Sequence, residues 1–241
     1  MERLDKIIVE QTKYSRKEVK ELVRQKRIIV NGEKISKPDI KIDREKDRIE
    51  VDNIEIKVKK YIYLMLNKPK GYISATEDKN MPTVLELIPQ EHLHRKLFPA
   101  GRLDKDTTGL MLITDDGEFA HNILSPKKHI KKIYEVKIDI DMKKEMIEGF
   151  KEGVLLNDGE CKSAILQITG ENTGIVILLE GKYHQIKRMF GCYGAKVIEL
   201  KRIGMGNFIL PEDLKEGQSR EFTKEELEEL KEEINLNRNN N

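Results

Sequence analysis

An α+β fold is expected for this chain: a small helical unit in front, then a mixed, largely antiparallel sheet flanked by helices. Three observations carry that expectation. From Tyr61 onward, strand-like segments follow one another through short polar turns, without the helix at every crossover that a doubly wound α/β sheet requires. The first 60 residues have another texture, two short amphipathic helices and a tight hairpin rich in Lys and Arg. The 241 residues leave room for one large domain, or for a medium one with a small appendage. No apolar run approaches the roughly 20 residues of a membrane helix, and no signal-peptide core follows the charged N-terminus, so a cytoplasmic protein without membrane contact is expected.

The elements follow in order. Leu4, Ile7 and Ile8 share one face of a first helix; the capping box Ser15 to Glu18 opens a second, with Val19, Leu22 and Val23 as its apolar stripe. Ile28 to Val30, Asn31-Gly32 and Glu33 to Ile35 read as strand, turn and strand, because Asn-Gly readily takes the positive φ angles of a hairpin. Residues 48–60 alternate Ile49, Val51, Ile54, Ile56 and Val58 with charges, and suit either a last strand of this unit or a linker. A first domain of residues 1–58 and a second of 59–236 are expected. Strands are predicted at 61–66, 109–114, 133–138, 164–169, 175–179 and 197–202, and helices at 84–88, 118–124, 142–150 and 184–193. Thr223 with Glu226 forms another capping box, opening an acidic helix, and residues 237–241 are expected to fray.

The net charge of +2 hides a gradient: residues 1–60 hold 18 Lys and Arg against 13 Asp and Glu, whereas residues 211–241 hold 5 against 10. Phosphate neutralisation supplies most sequence-independent affinity for nucleic acid, so the basic N-terminal unit suits a nucleic-acid backbone. A solvated lysine-rich face is the plainer reading of the same charges. Cys161 and Cys192 stand in no CxxC or Cys/His cluster and read as buried thiols rather than a disulfide or zinc site. No phosphate loop, dinucleotide fingerprint, HExxH or GxSxG is present. His92, His94 and His129 lack partners at ligand spacing and read as surface residues, so neither metal nor cofactor is expected.

Three stretches carry the chemistry. The first, Gly101-Arg102-Leu103-Asp104 with Thr107-Thr108-Gly109, sets a carboxylate beside a guanidinium at the start of an apolar strand. The second is Lys132-Ile133-Tyr134, and the third is Gly181 to Arg188, where a strand passes into a helix. Taken singly, each has a plainer explanation: Asp104 a turn former, Tyr134 a half-buried strand residue, Lys187 and Arg188 a solvated helix face, Arg102 a structural ion pair. Together and in this order they resemble the three motifs of pseudouridine synthases, the family that includes small- and large-subunit ribosomal RNA enzymes. Residues 3–35, RLDKIIVEQTKYSRKEVKELVRQKRIIVNGEKI, resemble an S4 RNA-binding domain reaching to about residue 47. An S4 domain in front of such a catalytic domain is the usual arrangement in that family.

The resemblance implies isomerisation of uridine: the glycosidic bond breaks, the held uracil turns, and its C5 joins the same ribose. Asp104 would be the essential residue, either as a nucleophile or as the base of a glycal route. Lys187 would pair with it, Tyr134 would lie against the uracil and assist loss of the C5 proton, and Arg102 would fill the gap left by the flipped base. Leu103, Ile186 and Arg188 complete the substrate-binding set, with Ile186 as an apolar wall; Asp106, Asp115 and Asp116 read as turn or cap residues. Thr12, Ser15, Arg16, Lys20, Arg24, Lys26 and Arg27 are candidates for RNA backbone contacts, as are Lys68, Lys70 and the basic run 127–132 nearer the site. MLNKPKGYISAT (65–76) and EGKYHQIKRMF (180–190) are closer to the 16S ribosomal RNA enzymes, since large-subunit relatives more often carry Asn-Arg in place of Tyr183-His184. The expected partner is therefore 16S ribosomal RNA, free or in a small-subunit assembly intermediate, acted on by a monomer. A 23S enzyme of the same branch is the alternative within the class, and a non-catalytic ribosome-assembly factor the alternative outside it. A carboxylate glycosidase would need a second acid, and none is marked.

Overall fold

The computed structural model describes residues 1–125 and 128–236. Lys127 of the basic run and the tail 237–241 lie outside the described residues. By contacts the chain divides into two compact units, Met1–Ile62 with Pro89–Leu97, and Tyr63–Ile88 with Phe98 onward. The sequence places the division at 58 and assigns 89–97 to the second unit. Residues 89–97 instead pack with the first: the imidazole of His94 meets the Glu10 carbonyl at 3.0 Å, and Arg95 donates to the carbonyls of Lys59 and Lys60. His92 is buried and His94 half-buried, so neither is the surface residue expected; burial pushes the His94 imidazole pKa down.

The first unit runs β1 (Glu2–Arg3), α1 (Leu4–Gln11), α2 (Arg16–Arg24), β2 (Ile28–Val30), β3 (Glu33–Lys34), β4 (Lys41–Ile42), β5 (Ile49–Val51) and β6 (Ile54–Glu55). Leu4, Ile7, Ile8, Val19, Leu22 and Val23 fill the space between the helices and the small sheet. The Ser15–Glu18 capping box forms as expected. Asn31 (φ 52°) and Gly32 (φ 84°) turn the β2–β3 hairpin. β5 pairs antiparallel with β2 and β6 through Asp52 and Asn53, both at positive φ. Residues 49–55 therefore belong to the sheet of this unit and are not a linker.

The second unit continues with β7 (Tyr63–Lys68), β8 (Phe98–Pro99), β9 (Thr108–Thr114), α3 (Gly117–Leu124), β10 (Lys132–Ile138), α4 (Lys144–Glu152), β11 (Leu155–Leu156), β12 (Gly159–Glu160), β13 (Ile165–Ile168), β14 (Thr173–Leu178), α5 (Gln185–Gly191), β15 (Val197–Met205), β16 (Phe208–Ile209), β17 (Ser219–Glu221) and α6 (Lys224–Leu236). The helix expected at 84–88 is a short 3-10 turn, Val84–Leu87, closed by its own Thr83–Glu86 capping box. The main sheet has the order β13-β14-β10-β15-β9-β7-β17. One strand pair in it is parallel among the described residues, β9 with β15; the others are antiparallel.

That parallel pair is a seam between two cores. On one side, α4 and α5 cover β10 and β14 through Val136, Phe150, Val176, Met189 and Phe190. On the other, α3 and α6 cover β7 and β9 through Met65, Leu110, Leu112, Ile123 and Leu230. The two backbones come unusually close where Gly109 faces Arg202. Gly109 has φ +98°, and a Cβ placed on it would stand 2.2 Å from the Arg202 carbonyl oxygen. The Arg202 side chain is itself buried in the seam, with Nε donating to the Leu110 carbonyl at 2.7 Å. Cys161 is buried as expected, but Cys192 is exposed at the end of α5.

Gly109→Ala is expected to lower stability by about 3 kcal/mol or more, because backbone cannot yield as a flexible side chain can. Gly117→Ala is the control: Gly117 has open space around it, and stability there should be unchanged or higher by about 0.5 kcal/mol. Urea titration of both variants checks the pair.

Candidate active site

The loop between β8 and β9 carries Asp104, and the rest of the second unit holds its backbone still. Lys68, the last residue of β7, is fully buried beneath it. Its Nζ donates to the carbonyls of Thr107 (2.8 Å), Asp104 (3.1 Å), Pro69 (3.1 Å) and Lys105 (3.3 Å). Burial draws the Lys68 pKa down to about 8. Ser74 Oγ donates to the Leu103 carbonyl and accepts from the Leu103 amide, at 2.8 and 2.9 Å, while the Gly71 amide donates to the Lys105 carbonyl at 2.8 Å. With Leu103 buried as an anchor, the Asp104 carboxylate is left at the surface of the loop, 28% exposed.

The facing groups come from β10 and α5. The turn into α5 is held by Gln185, whose Oε1 accepts from the Lys182 amide and whose Nε2 donates to Glu180. His184, at the N-cap with φ 48°, brings Nε2 to 3.4 Å from Asp104 Oδ1. Lys187 brings Nζ to 3.2 Å from Asp104 Oδ2 and to 2.6 Å from Asp106 Oδ1. Burial works against the Lys187 charge, yet the hydrogen bonds that it donates to Asp106 and Asp104 outweigh it and hold its pKa above the ordinary lysine value. For Asp106 burial acts in the opposite sense to the Lys187 hydrogen bond, which prevails and lowers its pKa.

Two connected hollows share Asp104 and Tyr134. The inner one, about 110 Å³, is walled by Tyr134, Leu178, Ile186 and Leu200, with Asp104 and Lys187 at its edge. The outer one, about 460 Å³, is lined by Arg102, Lys132, Tyr183 and His184 among others. A small hollow that joins an aromatic and aliphatic wall to one carboxylate and the basic groups Arg102, Lys182, His184 and Lys187 suits a planar ring such as a nucleobase. A larger hollow of about 1150 Å³ opens among Glu135, Lys137, Glu199 and Lys201 and contains none of these groups.

Comparison with known proteins gives this site a family. Residues 62–191 match the family described as RNA pseudouridylate synthase, and residues 2–49 match the S4 domain. The chain belongs to the RNA pseudouridylate synthase family. It is 42% identical to a protein of Aquifex aeolicus named as an uncharacterized RNA pseudouridine synthase, over 99% of this chain and 100% of that one. With the Escherichia coli ribosomal small subunit pseudouridine synthase A it shares 39% identity, over 93% of this chain and 98% of that one. A crystal structure of a pseudouridylate synthase superposes with a TM-score of 0.67 at 36% identity, covering 95% of this chain and all of that chain. This pseudouridine synthase is thus an RNA-directed isomerase with an S4 domain at its front.

Of the residues singled out in the sequence, the structure gathers Asp104, Tyr134, Lys187, Leu103, Ile186 and Arg102 around the two hollows. Arg102 is exposed and makes no hydrogen bond or ion pair among the described residues. Arg188 is not with them. It pairs with Asp158 and donates to the Tyr183 carbonyl, which makes it a brace of the turn and not a lining residue. Lys68 lies beneath the loop, so it is not the phosphate contact expected. Lys132 is also buried, with Nζ on the Ile130 carbonyl and its pKa drawn down to about 8 by burial and by Arg202. Two residues at the site were not assigned to it from the sequence: Asp106, read as a turn or cap residue, and His184, noted only as a cue to the 16S enzymes. An acid two residues after another in a turn, and a histidine opening a helix, carry no local signal until α5 is placed against the loop.

In the S4 domain the candidate set divides. Arg16, Lys20 and Lys26 are exposed and unpaired among the described residues. Arg24 pairs with Glu21 and Arg27 with Asp52, while Ser15 is committed to its capping box. Thr12 donates to the Ile8 carbonyl and accepts from the Tyr14 amide, a helix-end role.

Lys187→Ala is expected to lower the rate of pseudouridine formation by about 100-fold or more, with Lys187→Arg keeping most of it, since a guanidinium can bond both carboxylates. Asp106→Asn should cost less than about tenfold, because it removes only the brace on the cation. Single-turnover assays of the three variants test this ordering.

Proposed function

We propose that this enzyme converts one specific uridine of 16S ribosomal RNA to pseudouridine, with Asp104 as the essential carboxylate. The observation that carries this reading is the Asp104 carboxylate in a small hollow with Lys187 Nζ at 3.2 Å and Tyr134, Leu178 and Ile186 in its lining. A uracil in that slot lies against Tyr134, Ile186 and Leu178 and brings its ribose C1′ and C2′ toward Asp104. Attack on C1′ and removal of the C2′ proton both begin from that carboxylate. The bond from C1′ to N1 breaks, the uracil turns within the slot, C5 joins C1′, and the C5 proton leaves toward the Tyr134 side. Nothing is added or lost overall: C5 gives up a proton, N1 ends with one, and any proton taken from C2′ returns there. Lys187 orients the acid and is itself braced by Asp106. Arg102, exposed and unpaired among the described residues beside the outer hollow, occupies the place in the RNA that the flipped uridine vacates.

The choice of 16S RNA rests on the relatives: those from Escherichia coli, Yersinia pestis and Haemophilus influenzae are named ribosomal small subunit pseudouridine synthase A, at 39%, 40% and 37% identity. In the S4 domain, Arg16, Lys20 and Lys26 make the backbone contacts, as exposed cations in no hydrogen-bonded ion pair among the described residues.

Asp104→Asn is expected to reduce pseudouridine formation by about 1000-fold or more while RNA affinity stays within a few-fold. Full activity in that variant would sink the assignment of the carboxylate. Mapping pseudouridines in ribosomal RNA from cells with and without the gene should show one position lost from 16S; a position lost from 23S instead would overturn the substrate. Replacing Arg16 and Lys20 together by Gln should flatten the salt dependence of RNA binding by about 0.7 to 0.9 in log–log slope for each phosphate contact removed. Ser15→Ala should leave that slope alone and cost about 1 kcal/mol of stability.

A further inference from the structure

The turn into α5 displays an aromatic ring that the protein itself does not use. Tyr183 is 72% exposed, and its hydroxyl has no partner among the described residues. Its ring is stacked on the imidazole of His184, with centroids 3.8 Å apart and planes 19° from parallel. The two rings line the outer hollow together with Arg102 and Asp104. An exposed tyrosine on a mobile loop would mean little, but this one is fixed. The Tyr183 carbonyl accepts from Arg188, which is itself paired with Asp158. On the other side, Lys182 Nζ donates to the carbonyls of Gly159 and Glu160, both at 2.8 Å, and the Lys182 amide donates to Gln185. The backbone of Tyr183 and its neighbour Lys182 are thus anchored, and His184 backs one face of the ring.

From this we infer that Tyr183, backed by His184, is a stacking platform for the nucleobase next to the flipped uridine in the substrate RNA. The inner slot has room for one ring, and the outer hollow is several-fold larger and continuous with it at Asp104 and Tyr134. Once the target base occupies the slot, its neighbours have lost a stacking partner. A rigid, solvent-facing aromatic beside the slot restores that stacking without reading a hydrogen-bond pattern, since every base has a π face. Arg102 fills the vacated position and Tyr183 receives the adjoining base, so the two act on different parts of the distorted strand. This platform rests on the reading of the Asp104 slot as the place where uridine enters.

The test uses a short RNA containing the mapped uridine, with 2-aminopurine as its 5′ or 3′ neighbour, bound to full-length Asp104→Asn protein so that no turnover intervenes. Binding should quench the fluorescence at one of the two positions through stacking. Tyr183→Ala in the same background should abolish that quench and weaken binding by about 5- to 150-fold, whereas Tyr183→Phe should keep both. Equal quench and equal affinity in Tyr183→Ala would overturn the platform. Full activity of the Asp104→Asn protein would overturn the slot reading, an outcome registered in the turnover assay and separate from the quench.

Discussion

The Lys68 ammonium is buried under the Asp104 loop and hydrogen-bonded to three of its carbonyls and to that of Pro69, and the site depends on that contact. A loop of this kind would ordinarily leave its carbonyls to water and its side chains free to wander. A cation at its centre draws residues 104, 105 and 107 around one point, and the Ser74 bonds to Leu103 fix the residue before Asp104. Removing a lysine from water is costly, and the pKa near 8 records that cost. What the loop gains is a carboxylate held by its backbone, so that its side-chain oxygens are left to meet His184 and Lys187.

The second requirement is that two halves of the sheet meet. Asp104 precedes β9, whereas Tyr134 lies on β10 and Lys187 on α5, and the β9–β15 pair joins the two sides. Gly109 permits that approach by having no side chain where Arg202 passes. The glycine that follows Thr107-Thr108 is therefore a packing requirement one strand away from the chemistry. A side chain there would push β15 outward and carry β10 and its tyrosine with it.

Charge is shared at the site. Lys187 serves two carboxylates, with the shorter contact to the more exposed Asp106, and His184 approaches Asp104 from the other side. This surrounds Asp104 with basic groups without closing a tight, fully desolvated ion pair around it, and the carboxylate stays 28% exposed. The inner slot contributes the wall of Tyr134, Leu178, Ile186 and Leu200, and the outer hollow is lined by Arg102, Lys132, Tyr183 and His184.

Much of this was legible in the chain. Helix stripes, the Asn-Gly hairpin and the capping boxes at Ser15 and Thr223 are local signals set by φ preference, hydrogen-bond reach and apolar spacing, and they form where those signals stand. Asp104, Tyr134 and Lys187 could be named because their motifs resemble a known family. Tertiary structure alone decided the rest. Lys68 and Lys132 look like surface cations in sequence, and only the fold over them shows that they are buried. Arg188 stands beside Lys187 in the chain, but one step along a helix turns a side chain through about 100°, so it meets Asp158 and not Asp104. Residues 89–97 have no periodicity that assigns them to either unit, and their place is set by the contacts of His94 and Arg95 with the first. Local chemistry determined the elements and the motif residues; which side chains share a cavity, and which cation supports which loop, depended on packing between segments far apart in the chain.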